Sequence, residues 1–163
     1  QFCVVTLHRP SNVDNPKNLK MLLKMLNKIS KNIKVVFPIH PRTKNNIRKI
    51  NLKLSDNIIE TNPLPYKEFL NLVFQSKFVF TDSGGIQEET TFLGVQCLTF
   101  RDNTERPSTI DLGTNILIGT DIKNAYKAIQ NCLSGKIKKG KIPEKWDGKS
   151  SIRIGNIIDR FLR

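Results

Sequence analysis

Phe78-Val79-Phe80-Thr81-Asp82-Ser83-Gly84-Gly85-Ile86-Gln87-Glu88-Glu89 runs from a short apolar stretch through two adjacent glycines directly into a segment of helical character. A continuous apolar run of this length suggests a buried parallel strand, because a half-exposed antiparallel strand alternates apolar with polar residues. Similar runs rich in Val, Ile and Phe recur at Phe2 to Thr6, Lys34 to Ile39, Asn57 to Thr61, Gln96 to Phe100 and Asn115 to Ile118. Between them lie helical patterns. Asn18 to Ile29 places Leu19, Leu22, Leu23, Met25, Leu26 and Ile29 on one broad face, with Asp14 and Asn15 as candidate caps and Pro16 in the first turn. Helices are also expected at Thr43 to Leu52, Tyr66 to Gln75, Ile86 to Leu93, Asp121 to Leu133 and Ser151 to Leu162. Strand alternating with helix implies an α/β, doubly wound parallel sheet, which binds ligands in the loops beyond the carboxyl ends of its strands. Gly135 to Lys149, rich in Lys, Gly and Pro, reads as a connecting loop.

The 163 residues suit one domain with its own core. Hydrophobic residues are 38% of the chain and charged residues 25%. No apolar run approaches the roughly eighteen residues needed to cross a bilayer, so a soluble domain without a membrane partner is expected. Gln1 opens directly onto the first apolar run, without an initiator Met or a signal sequence, which reads as a cut between domains. Lys and Arg outnumber Asp and Glu by 27 to 14, a formal charge of +13. That excess admits a nucleic acid, an anionic membrane or a phosphorylated ligand, and charge alone does not choose among them. Lys17, Lys20, Lys24, Lys28 and Lys31 share one helical face, where a solvated surface accounts for them. Cys3, Cys97 and Cys132 are isolated and lack metal-ligand or disulfide spacing; they fit a reducing cytoplasm.

Four loops carry candidate chemistry. The diglycine turn lets backbone amides approach an anion, and the helix start adds unsatisfied N–H groups and a favourable dipole. Ser83 can add a hydroxyl. An ordinary turn capped by Ser83 or Asp82 is the alternative reading of the same residues. Two carboxylates in the first helical turn would repel a phosphate, so Glu89, one turn beyond Gly85, is the better candidate to accept hydrogen bonds from ribose hydroxyls. Glu88 is explained by the helix dipole alone. The second loop, His8-Arg9-Pro10-Ser11-Asn12, and the third, His40-Pro41-Arg42, each set an imidazole beside a guanidinium, able to neutralise and protonate phosphate oxygens. Arg101-Asp102-Asn103-Thr104-Glu105-Arg106-Pro107 follows the fifth apolar run, as either surface charge or a salt-bridge network around a ligand.

Taken together, Thr6-Leu7-His8-Arg9 with Asn12, His40-Pro41, Asp82 to Glu89 and Arg101 to Pro107 closely resemble the non-hydrolysing UDP-N-acetylglucosamine 2-epimerases. Order and spacing match across nearly all of the chain. The resemblance implies the second, Rossmann-like domain of a GT-B-type two-domain enzyme: residues 1–163 form a C-terminal nucleotide-binding domain with 151–163 as its terminal helix, and the N-terminal domain carrying the catalytic base is absent from this chain. By that resemblance His8 and Arg106 are the catalytic residues, His8 lying against the diphosphate and Arg106 completing the polar wall of the cleft, and Ser83, Gly84 and Gly85 bind phosphate oxygens. Glu89 holds the ribose, while Leu64 and Phe69 border the uracil; a core aromatic is the competing reading of Phe69. Arg9 and His40 resemble contacts to a regulatory second nucleotide sugar. Ser11 stands where many members have Glu, and Gln96 replaces a Pro and is expected to affect only a turn.

The implied reaction interconverts UDP-N-acetylglucosamine and UDP-N-acetylmannosamine by eliminating UDP to a glycal and adding it back, without metal, nicotinamide or other cofactor, in polysaccharide biosynthesis. The expected partners are UDP or a UDP-sugar, the missing first domain and, at full length, a second copy in a homodimer; no nucleic acid is expected. Alternatives are the donor domain of a GT-B glycosyltransferase, a hydrolysing epimerase, and a basic nucleic-acid-binding module, for which no aromatic-basic reading surface is found.

Overall fold

The computed structural model describes residues Gln1–Arg163. Six strands, β1 (Phe2–Thr6), β2 (Lys34–Pro38), β3 (Ile58–Thr61), β4 (Val79–Thr81), β5 (Cys97–Thr99) and β6 (Asn115–Leu117), form one sheet in the order β3-β2-β1-β4-β5-β6. Every neighbouring pair is parallel. The chain therefore winds outward in both directions from β1 and β4, which pair with Thr6 opposite Thr81. That switch point leaves a crevice outside the carboxyl ends of the two central strands. The α/β, Rossmann-like doubly wound sheet read from the sequence is the fold observed.

Eight helices complete the chain: α1 (Pro10–Val13), α2 (Pro16–Ile29), α3 (Pro41–Arg48), α4 (Tyr66–Gln75), α5 (Gly85–Leu93), α6 (Pro107–Asp111), α7 (Ile122–Leu133) and α8 (Ser150–Leu162). Of the two candidate caps for α2, Asn15 takes the role: its side chain accepts from the amides of Lys17 and Asn18, with Pro16 opening the helix. The face bearing Leu19, Leu22, Leu23, Met25, Leu26 and Ile29 is buried. It joins the main core with Val35, Phe37, Phe78 and Phe80, where Phe80 and Phe100 pack with ring centroids 5.6 Å apart. Truncating a fully buried leucine here, such as Leu26, would cost about 2–5 kcal/mol. A smaller cluster of Val4, Val73, Val79, Ile86 and Val95, with Phe69 against it, seats α4 and α5 on the opposite face.

Two sequence expectations require correction here. Helix α3 begins at Pro41 and stops at Arg48, short of the expected Leu52. Ile50, Leu52 and Leu54 instead lean on the core from every second position, a period that suits extended chain. Gln96 does more than shape a turn. Its buried amide donates to the carbonyls of Thr114 (2.6 Å) and Cys97 (3.0 Å), and accepts from the amide of Lys138 (2.6 Å). Gln96 thus fastens the 135–149 connection onto the β5–β6 edge. Gly140 allows this crossing, since a Cβ there would lie 2.5 Å from the backbone of Gly113.

Helix α8 buries no residue, and Ile152, Ile157, Ile158 and Phe161 are all exposed. No helix is long and apolar enough to cross a membrane.

Candidate functional site

The site is built around Asp82, which directly follows β4 and is fully buried. Its carboxylate accepts from the backbone amides of His8 and Arg9, the Asn12 side-chain amide (3.0 Å) and Nδ1 of His8 (3.0 Å). Arg9 Nε returns a hydrogen bond to the Asp82 carbonyl at 3.0 Å. Burial alone would raise the Asp82 pKa, but the hydrogen bonds from His8, Asn12 and Arg9 outweigh it and hold the carboxyl below its ordinary value. One acid therefore pins the loop after β1 to the end of β4. It keeps the imidazole of His8, about half exposed at 45%, at the mouth of the crevice.

Because Asp82 is committed to that loop, it does not cap α5, and neither does Ser83. The cap position is Gly84, without a side-chain hydrogen bond, so the alternative reading of a turn capped by Ser83 or Asp82 does not hold. The amide of Ser83 donates to the Thr81 hydroxyl at 2.9 Å, while its carbonyl accepts from Gln87 at 3.1 Å. No acceptor within the chain engages the amides of Gly84, Gly85 or Ile86. These groups open the nine-residue helix α5, where its dipole favours negative charge. Space above Gly85 is open: a Cβ there would meet no atom within 4 Å. Gly84 is different, since a Cβ on it would lie 2.9 Å from a guanidinium nitrogen of Arg106 and would push that side chain aside.

Arg106 is held by Glu88, whose carboxylate accepts from its Nε at 2.7 Å. Helix-dipole stabilisation is thus not a sufficient account of Glu88, which holds a cation over the diglycine turn. The buried Arg101 donates twice to Glu105, at 2.8 and 3.1 Å, and draws the Glu105 carboxyl down to about 2. The charged segment after β5 is therefore a salt-bridge network. Beneath it, buried Gln87 accepts from Thr104 (2.6 Å) and Asn115 (3.1 Å), tying this segment to the diglycine turn and to β6.

His8, His40, Leu64 and Phe69, with Thr6 and Pro63, line one cavity of about 180 Å³ beside the crevice. Phe69 also packs on the smaller core cluster, so both of its sequence readings describe it. Glu89 is partly buried, and burial raises its pKa; the Tyr66 hydroxyl opposes this and the charge of Glu88 reinforces it. His40 has a structural duty as the cap of α3, its Nδ1 accepting from the Arg42 amide at 3.3 Å. A larger depression of about 580 Å³ lies at the opposite, amino-terminal ends of the strands, by Gln1, Asn32 and Lys77, and gathers no comparable chemistry. Asp82, weighed from sequence only as a cap, and Gln87, not singled out at all, are the residues whose bonds hold this candidate site together. The one available signal was that buried acids and amides in strand-to-helix turns are costly unless fully bonded.

The family model described as UDP-N-acetylglucosamine 2-epimerase matches residues 1–159. The Methanocaldococcus jannaschii UDP-N-acetylglucosamine 2-epimerase is 42% identical over 96% of this chain and 44% of its own length. A Pseudomonas aeruginosa UDP-2,3-diacetamido-2,3-dideoxy-D-glucuronate 2-epimerase is 42% identical over 72% of this chain and 33% of its own. The crystal structure of the M. jannaschii enzyme in complex with UDP-GlcNAc and UDP superimposes with a TM-score of 0.86 at 39% identity, over 98% of this chain and 45% of that one. The chain thus spans less than half the length of these relatives. By its sequence match and its shared fold, the chain belongs to the UDP-N-acetylglucosamine 2-epimerase family.

Proposed function

We propose that this chain is the nucleotide-gripping, C-terminal half of a non-hydrolysing UDP-N-acetylglucosamine 2-epimerase, the second domain of a GT-B-type enzyme. The observation that carries the reading is the convergence at one sheet edge of an open helix start, an imidazole and a clamped guanidinium, in a family where a relative is crystallised with UDP-GlcNAc and UDP. The amides of Gly84 and Gly85, the Ser83 hydroxyl, His8 and Arg106 take the diphosphate. Glu89 takes the ribose hydroxyls, and Leu64 and Phe69 flank the uracil. Arg9 and His40 border the same loops and are candidates to meet a second nucleotide sugar.

In the reaction, a base removes the proton at carbon 2, the C2–H electrons form the C1–C2 double bond, and the C1–O pair leaves with UDP. Preorganised positive charge stabilises that departing diphosphate. Re-addition on the other face completes epimerisation. The base comes from the part of the enzyme this chain does not span, a reading supported by its 44% coverage of the M. jannaschii relative. The uncovered apolar residues of α8 are the surface that such a first domain would bury. The P. aeruginosa relative acts on a different UDP-sugar, which favours placing the choice of sugar in that other half as well.

Isothermal titration of the chain with UDP, uridine and single-stranded DNA tests the reading. UDP is expected to bind more tightly than uridine, and DNA no more tightly than nonspecific charge allows. Equal affinities for UDP and uridine would overturn it.

A further inference from the structure

We infer that Asp82 is a positioning residue that fixes the tautomer of His8, keeping Nδ1 protonated and leaving Nε2 as the nitrogen that faces the crevice. The inference rests on the reading of His8 as the imidazole that serves the diphosphate.

The geometry distinguishes the two carboxylate oxygens. Oδ1 meets His8 Nδ1 at 3.0 Å and the His8 amide at 3.1 Å. Oδ2 meets the Arg9 amide and Asn12 Nδ2, each at 3.0 Å, and the His8 amide at 3.2 Å. All of these partners must donate, because an ionised carboxylate only accepts. A neutral His8 therefore carries its proton on Nδ1. The carboxylate is fully buried and multiply bonded, so it cannot swing aside to admit the other arrangement. Nε2 then takes a proton from outside, delivers it to a phosphate oxygen and returns to the bare form, while Nδ1–H stays on Asp82. A histidine held this way cycles through one nitrogen only.

His40 supplies an internal contrast. Its Nδ1 accepts from the Arg42 amide, so its neutral form carries the proton on Nε2. The chain has two histidines, and they are expected to be opposite tautomers in one molecule.

The Asp82→Asn variant predicts its own outcome. An asparagine has one accepting oxygen. Placed at the Oδ2 position it accepts from the Arg9 amide and Asn12 and keeps the 3.2 Å contact to the His8 amide, whereas placed at Oδ1 it would set its NH2 against the Arg9 amide and Asn12 and keep only the His8 amide. The first orientation wins, and it points the new NH2 at His8 Nδ1. The imidazole proton must then move to Nε2.

The test is nitrogen-15 NMR of the chain in alkaline solution, where imidazoles are neutral, with His40→Gln to assign the two rings. The wild-type spectrum is expected to show His8 protonated at Nδ1 and His40 at Nε2, and a folded Asp82→Asn variant to show His8 switched to Nε2. A wild-type His8 protonated at Nε2, or mixed evenly between tautomers, would overturn the inference without any variant having to fold. So would an unswitched ring in a folded Asp82→Asn. No nucleotide is present in the experiment, so its failure is separate from a failure to bind UDP.

Discussion

Replacing Gly84 by Ala separates what the diglycine turn does for binding from what it does for stability. Gly84 has φ −76° and ψ −48°, an ordinary right-handed helical conformation, so alanine fits the backbone. Restricting the unfolded chain at such a site stabilises by about 0.4–1 kcal/mol. Against that, the new Cβ would lie 2.9 Å from an Arg106 nitrogen and 3.4 Å from its guanidinium carbon, displacing the side chain. The Arg106–Glu88 pair is 34% and 45% exposed, and such pairs contribute about 0.2–1 kcal/mol. The two effects offset, and folding stability is expected to move by less than about 1 kcal/mol. Binding is not offset. Losing a charged hydrogen bond to the diphosphate costs about 1.5–3 kcal/mol, which weakens UDP roughly ten- to a hundredfold. Uridine, lacking phosphate, should bind Gly84→Ala as it binds the wild type. Urea unfolding and isothermal titration read the two quantities. Unchanged UDP affinity, or an equal loss for uridine, would refute the placement of Arg106 over the phosphate seat. A stability loss above about 2 kcal/mol would refute the offset.

Gln96→Ala should destabilise the fold by about 2–3 kcal/mol in urea unfolding, because it strips the partner from Lys138 and opens a buried polar site, while UDP affinity stays unchanged. Glu89→Gln should weaken UDP more than a 2′,3′-dideoxyribose analogue; equal losses would make Glu89 structural. The raised pKa of Glu89 means that this carboxylate protonates above the ordinary 4.5, so the preference for ribose over the analogue should begin to fade at higher pH than for a free glutamate. For Asp82 the sign is opposite. A depressed folded pKa contributes stability that is present above the ordinary 3.8 and lost as pH falls below it, so the urea midpoints of wild type and Asp82→Asn should converge in acid and stay apart at neutral pH.

The strands and long helices were legible because each carries a period long enough to read. The face from Leu19 to Ile29 and the apolar runs Phe2 to Thr6 and Phe78 to Thr81 point to helices packed on a parallel sheet. Helices α1 and α6, with four and five residues, hold no full amphipathic repeat, and neither was expected from the sequence. The positions of His8 and the diglycine turn were legible from their place after strands. Their coupling was not. Asp82 reaches His8 across 74 positions of sequence, and an acid before Gly-Gly reads locally as a helix cap. Glu88 shows the same blindness: its partner Arg106 is 18 residues away and meets it only because the loop after β5 folds back over α5.

The proposed function requires that this chain bind the nucleotide and not contain the base. Incubating it with UDP-N-acetylglucosamine in deuterium oxide and following proton NMR tests both parts in one tube. Saturable broadening of the uridine signals, with no deuterium at carbon 2 and no epimer, is the expected result. Deuterium incorporation at carbon 2 would contradict the claim, because the base would then reside among these 163 residues; absence of any uridine broadening would contradict it from the other side.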